Sequence, residues 1–201
     1  IYEYYGLLKL LKAAKDSGFG PDENAGGISF FNYLENIFQY EDDVNNTYCL
    51  TDGANKLTLY YQPVISSKNN IFNKISLYKA DENSYVTPDF IIKMTNLETQ
   101  KENYAILDSK YSNRKNIKRL YLHDKIIKYV CAIGDLNGQT PAVRFMWLLQ
   151  GREDSGEQIE YFHNSRLARR LKPIPSYGIY TLNPTNNDID KIWSEMMRCL
   201  L

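Results

Sequence analysis

Residues 85–94 and 103–111 constrain this chain most, because each joins a charged cluster to an apolar run. The first holds Pro88-Asp89 followed by Phe90-Ile91-Ile92. The second runs Tyr104-Ala105-Ile106-Leu107 and ends Asp108-Ser109-Lys110. Short runs of this composition suit buried strands. The polar stretch 95–102 between them suits a hairpin-type connection, so the spacing fits two neighbouring strands. Leu107-Asp108 is unusual, since a charge follows directly on four apolar residues.

Two carboxylates and a lysine in this pattern point to a definite chemistry. Asp89 and Asp108 can hold a divalent cation. Residues 108 and 110 share a strand face because side chains alternate with period two. Lys110 would therefore sit beside Asp108 and the metal and position or activate a water. Ser109 points away, but its carbonyl can still ligate. Mg²⁺ prefers oxygen ligands and keeps several waters, so two or three carboxylates suffice, with Mn²⁺ able to substitute. Such a set suits metal-assisted phosphodiester hydrolysis. Taken singly, each half has a bland reading. A Pro-Asp pair commonly marks a turn, and a lone Asp-x-Lys is usually a solvated strand edge. The joint pattern is the selective one.

The remaining segments surround these strands with helices and further strands. Residues 1–17 read as a helix stopped by Gly18. In it the row Glu3, Leu7, Leu10, Ala14 is apolar except for Glu3, which therefore borders the buried face and needs a partner or a cation. Glu3 is a candidate third acid; the alternative is an ordinary N-terminal glutamate favoured by the helix dipole. A loop is expected over 18–27 and a helix over 28–41. Strands follow at 47–51, 57–63 and 74–79, with a turn at Asp52-Gly53 and an exposed loop over 66–70. A helix is expected over 119–134, strands over 142–149, 158–162 and 177–182, and a polar turn over 151–157. Asn187 or Asp188 caps a last helix carrying Ile189, Ile192, Trp193 and Met196.

Bulk composition sets the outer limits. A chain of 201 residues with 43% apolar and 24% charged residues suits one soluble domain over residues 1–201. No apolar run approaches the ~18 residues of a membrane span, and no signal-peptide pattern opens the chain. Ile1-Tyr2-Glu3 begins without Met and already reads as helix, so the chain is expected to be the C-terminal part of a larger protein. The charge sum is zero, which excludes a wholly basic coat but leaves room for a local strip. Arg114, Lys115, Lys118, Arg119, Lys125 and Lys128 form one, opposed only by Asp124, and suit phosphate contacts without sequence reading. A second cluster, Arg166, Arg169, Arg170 and Lys172, can extend it. Cys49, Cys131 and Cys199 read as free, mostly buried thiols in a reducing compartment. His123 and His163 lack ligand spacing to any cysteine, so neither zinc nor acyl transfer is indicated. The 17 tyrosines are read first as packing, with exposed ones able to stack on DNA.

These segments resemble the PD-(D/E)xK nuclease superfamily, closest to McrC-like, defence-associated nuclease domains. The resemblance rests on Tyr2-Glu3-Tyr4-Tyr5 with Leu7-Leu8-Lys9-Leu10-Leu11, on Leu59-Tyr60-Tyr61, on Thr87-Pro88-Asp89-Phe90 and on Leu107-Asp108-Ser109-Lys110-Tyr111. Asp124-Lys125-Ile126-Ile127-Lys128-Tyr129 with Ala132-Ile133 continues it. It runs in order over residues 1–150. Thr87 stands where those families often carry arginine.

The resemblance implies a mixed α/β, restriction-endonuclease-like core, a central mixed β-sheet flanked by helices. It implies Asp89, Asp108 and Glu3 as metal ligands, Lys110 as the catalytic lysine, and Lys128 and Tyr129 near the site. The expected activity is a Mg²⁺-dependent DNA endonuclease of a cytoplasmic prokaryotic restriction or phage-defence system. Expected partners are DNA and a separate nucleotide-driven motor or DNA-recognition subunit, because the chain holds no Walker-type GxxxxGK[ST]. A homodimer would supply the two sites of a double-strand cut. The alternative is a catalytically silent nuclease-like module that docks nucleic acid or protein.

Overall fold

The two apolar runs become adjacent antiparallel strands at the middle of an eight-stranded mixed sheet. The computed structural model describes residues 1–22, 47–66, 75–80, 85–135, 141–152, 158–162, 172–185 and 188–201. Its strands are β1 (Gly20–Pro21), β2 (Thr47–Thr51), β3 (Asn55–Tyr61), β4 (Ile65–Ser66), β5 (Leu77–Lys79) and β6 (Tyr85–Val86). Then come β7 (Phe90–Asn96), β8 (Glu102–Lys110), β9 (Ile133–Asp135), β10 (Val143–Gln150), β11 (Ile159–Tyr161) and β12 (Ser176–Thr181). The main sheet has the order β1-β2-β3-β7-β8-β10-β12-β11. β8, β10 and β12 run parallel; the other pairings are antiparallel. Two small sheets, β4 with β6 and β5 with β9, lie beside it.

Helices cover both faces. α1 (Tyr2–Asp16) and α3 (Asp190–Leu200) pack on one face, against Leu59, Phe90, Leu107, Trp147 and Leu149. The segment α2, over 114–131, packs on the other, against Ile91, Tyr104, Ile106, Met146 and Leu148. Consecutive strand residues divide between the two cores, as the pleat requires. β8 and β10 are therefore buried on both sides through their middles, which explains the unbroken apolar runs Tyr104–Leu107 and Phe145–Leu149. The mixed α/β class, with a central mixed sheet flanked by helices, is the architecture expected from sequence.

Several boundaries differ from the sequence reading. The run 85–94 is interrupted between Val86 and Phe90, because Pro88 lacks the amide that a ladder needs. α2 begins five residues before the expected 119, at Arg114, where the Asn113 side chain accepts the Asn116 amide at 2.9 Å. Its polar first turn hid that start from a hydrophobic-period argument. α2 alternates α turns (Arg114–Asn116 and His123–Ile126) with π turns (Ile117–Leu122 and Ile127–Cys131). Ile133 and Gly134, read as helix, instead belong to β9. Gly18 does end α1, at φ +92°. Asp188 serves the start of α3, accepting the Asp190 amide at 2.9 Å.

Cys199 is buried, Cys49 half-buried and Cys131 exposed, all as free thiols. The burial expected of Cys131 fails because it sits on the outer side of the last π turn. The readings for 23–27, 28–41, 67–70 and 153–157, together with His163, Arg166, Arg169, Arg170 and Asn187, fall outside the described residues. Among the described residues, no helix is long and apolar enough to cross a membrane.

Candidate active site

Strand register builds the site. Phe90 pairs with Leu107 in the antiparallel β7–β8 ladder, so Asp89, one residue earlier, lies level with Asp108. Asp89 Oδ2 accepts the Ser109 amide at 2.5 Å. On the other side the Gln62 amide donates to the Asp89 carbonyl at 2.8 Å. Parallel pairing sets Asp108 beside Leu148 and Lys110 beside Gln150. The carboxyl ends of β8 and β10 thus open on the same edge as the two acids, the edge where open α/β sheets bind ligands.

Asp108 is 1% exposed. A buried carboxylate is costly unless compensated, and three side chains compensate this one. Lys110 Nζ forms an ion pair with Oδ2. Lys125 Nζ and the Tyr129 hydroxyl donate to Oδ1 at 3.1 and 3.0 Å. Lys125 and Tyr129 are one helical turn apart on α2 and bond each other at 2.9 Å. Beyond its ion pair, Oδ2 has no hydrogen-bond donor among the described residues. Lys110 Nζ also donates to the Ser109 carbonyl at 2.9 Å.

Burial, and then the charge of Asp108, push the Asp89 carboxyl up to about 6; the Ser109 amide and Lys110 oppose that rise, and Glu3 adds to it. The same burial and the same Asp108 charge push the Tyr129 hydroxyl upward. A half-buried acid raised by burial and by the charge of a buried neighbouring acid is the electrostatic pattern of a cation site.

Glu3 stands at the rim. Its Oε2 accepts Gln62 Nε2 at 2.6 Å and the Tyr61 hydroxyl at 3.4 Å. Leu7, Leu10 and Ala14, in its row, are buried. Gln62 therefore touches Asp89 through its backbone and Glu3 through its side chain. It does so with φ 49°, a left-handed conformation uncommon for a non-glycine residue. Sequence reasoning missed Gln62; its only signal was its position just after the Leu59-Tyr60-Tyr61 strand.

The proposed basic strip divides. Arg114 is buried and committed inside the fold: it donates to Thr181 Oγ1 at 2.6 Å and Gln150 Oε1 at 3.3 Å, and lies 3.5 Å from Glu160. It is therefore a structural tie between α2, β10 and β12 rather than a phosphate contact. Lys125 belongs to the Asp108 cluster. Lys118 pairs with Glu160 but stays half exposed. Lys115 and Arg119 are exposed, and Lys128 lies half-buried over the Tyr129 ring at 5.6 Å. His123 is exposed and edge-on to Phe162, a structural contact.

Among the described residues, no three His, Cys, Asp or Glu side chains cluster as a metal site. The donors that fit a cation are a pair, Asp89 and Asp108, and the Oδ2 of Asp108 has Lys110 alone as its partner among the described residues. Such a pair suits an ion that keeps most of its waters. The chain matches no protein-family model, no curated protein and no solved structure.

Proposed function

We propose that this domain is a Mg²⁺-dependent DNA endonuclease of the PD-(D/E)xK, restriction-endonuclease-like kind, similar to McrC-like defence nucleases. One observation carries the reading: two acidic side chains level on neighbouring strands, with Lys110 on the inner one and a raised acid at the outer. Asp89 and Asp108 would hold the cation, with Glu3 reaching it through waters. When bound, Mg²⁺ supplies an acidified water and neutralises charge on the phosphate.

The chain's own groups do the rest. Lys110 Nζ acts in one of two forms: as the ammonium it orients the attacking water and offsets the charge gathering on the phosphoryl oxygens, or, after giving up its own proton, it takes the water's proton as a neutral amine. Tyr129 and Lys125 fix Asp108 so that its Oδ2 faces Lys110. Lys115, Lys118, Arg119 and Lys128 would hold the flanking phosphates. The expected ends are 5′-phosphate and 3′-hydroxyl. The same reading sets the protein in the cytoplasm of a prokaryotic restriction or phage-defence system, beside a separate motor or DNA-reading subunit.

A second reading rests on the compensation of the Asp108 charge by lysines. Lys110, Lys125 and Tyr129 already compensate its charge without a metal, which is what a silent docking module of this fold would need. Nicking of supercoiled plasmid in Mg²⁺, Mn²⁺ or EDTA, beside Lys110→Ala and Asp108→Ala, decides between them. Metal-dependent cutting lost in both variants is the nuclease outcome. Cutting that survives both would remove these residues from the assignment.

A further inference from the structure

A ladder of tyrosine rings leads away from Lys110 along the same edge of the sheet. Tyr111 follows Lys110 directly, and its side chain turns to the opposite face, toward α1. Its ring centroid lies 6.2 Å from Tyr2, and Tyr2 stacks on Tyr5 at 6.5 Å with 26° between planes. Lys9 Nζ closes the row, 5.6 Å from the centre of the Tyr5 ring.

The inner rungs are fixed. The Tyr2 hydroxyl donates to the Leu182 carbonyl at 2.8 Å, and that of Tyr5 to the Asn183 carbonyl at 3.1 Å. Both acceptors follow β12, at the carboxyl edge of the parallel strands. Gly151, held to the Lys110 carbonyl through its amide at 3.1 Å, makes room for two rings. A Cβ there would stand 2.7 Å from Tyr2 and 2.9 Å from Tyr111.

Tyr111 itself is 75% exposed. A large aromatic ring left in water, but braced from behind by an anchored ring, offers a flat apolar face at little ordering cost. Packing alone does not account for it, since its outer face packs on nothing among the described residues. Its position does suggest a use, one residue from the lysine that the proposed reaction sets on the phosphate.

We infer that Tyr111, backed by Tyr2 and Tyr5, is a stacking platform for an unpaired nucleobase, and that the substrate is single-stranded DNA or a duplex frayed at the cut. This inference rests on the nuclease reading for the phosphate that Lys110 faces. A paired base has both faces covered by its neighbours and has none to give to a ring at the backbone. An unpaired base has a free face, and stacking on an aromatic side chain holds it with little sequence preference. The exposed cations Lys115 and Arg119, four and eight residues on in sequence at the start of α2, suit the flanking phosphates of a flexible strand.

Fluorescence anisotropy in EDTA tests this without turnover. The probes are a short labelled single-stranded DNA and the blunt duplex of the same sequence, with wild type, Tyr111→Ala and Tyr111→Phe. Tyr111 is exposed, so neither variant threatens the fold. The single strand should bind more tightly than the duplex. Tyr111→Ala should weaken it by about 5- to 150-fold, the range of one lost base–aromatic stack, and Tyr111→Phe should restore it. Duplex affinity should not move. Equal single-strand binding by Tyr111→Ala, a loss that phenylalanine does not restore, or preference for the duplex would each overturn the inference. The plasmid assay separates the two claims. Lys110-dependent nicking with Tyr111-independent binding sinks only the platform, whereas Tyr111-dependent binding without metal-dependent nicking sinks only the nuclease.

Discussion

Asp89 carries the clearest residue-scale consequence. Its carboxyl titrates near 6 in the fold against 3.8 unperturbed. The folded state thus holds a proton that the unfolded state has lost across that window. Stability from this group is fullest below about 3.8 and declines as pH rises through 6. Asp89→Asn removes the effect. The variant should be more stable than wild type at pH 7.5, by on the order of 1–2 kcal/mol at this half-buried site. That advantage should shrink toward pH 4.5. Urea denaturation at the two pH values measures it, and an unchanged gap would mean that neither burial nor the Asp108 charge raises Asp89 in the fold. Tyr129→Phe probes the inner acid. It leaves Asp108 Oδ1 with Lys125 alone, and a buried carboxylate short of a donor costs about 1–3 kcal/mol. A melting temperature equal to that of wild type would show that Lys125 or water replaces the hydroxyl.

At the scale of elements, the site depends on a register held from its far side. Gly178 in β12 has no room for a side chain: an added Cβ would stand 2.5 Å from the Glu160 carbonyl and 2.5 Å from Trp147. The carbonyl belongs to the β11 strand paired to it, so relief requires breaking that ladder. Gly178→Ala should cost roughly 1–3 kcal/mol or more, read as a fall in urea midpoint; a neutral effect would show the β11 edge to be loose. The same elements explain what was legible in the sequence. Runs such as 104–107 and 145–149 announced strands, because burial on both faces leaves no polar residue in them. Asp89, Asp108 and Lys110 were legible because each polar cluster abuts such a run. Arg114 was misread because a chain of letters does not show Thr181 and Gln150, which come to it from β12 and β10. Gln62 carried no signal beyond its place after the Leu59-Tyr60-Tyr61 strand, since its role comes from a left-handed backbone turn between Tyr61 and Pro63. Lys125 looked like one more surface cation, although its four-residue spacing to Tyr129 on α2 already put both on one helix face.

The whole molecule brings a conflict into view. Its charges cancel, 24 basic against 24 acidic, so its net charge draws neither DNA nor cations to the site. Binding must come from local groups. At the site, Lys110 and Lys125 already neutralise the acid that a cation would use, so a divalent ion has to displace Lys110 from Asp108 Oδ2. Affinity for Mg²⁺ is therefore expected to be weak until a substrate phosphate draws Lys110 away. Mn²⁺, which binds nitrogen and oxygen ligands more tightly, is the sharper probe. At a concentration about 100 times its Kd it would stabilise the fold by about 2.7 kcal/mol, raising Tm by roughly 5–10 °C in a domain of this size. Lys110→Ala should increase that shift by removing the competitor, even as it abolishes cutting. Asp108→Asn and Asp89→Asn should remove it. Thermal denaturation with and without Mn²⁺ reads all four proteins. A Tm that does not respond to Mn²⁺ in either wild type or Lys110→Ala would favour the docking module, since the two lysines would then be the permanent partners of Asp108 rather than occupants that a metal displaces.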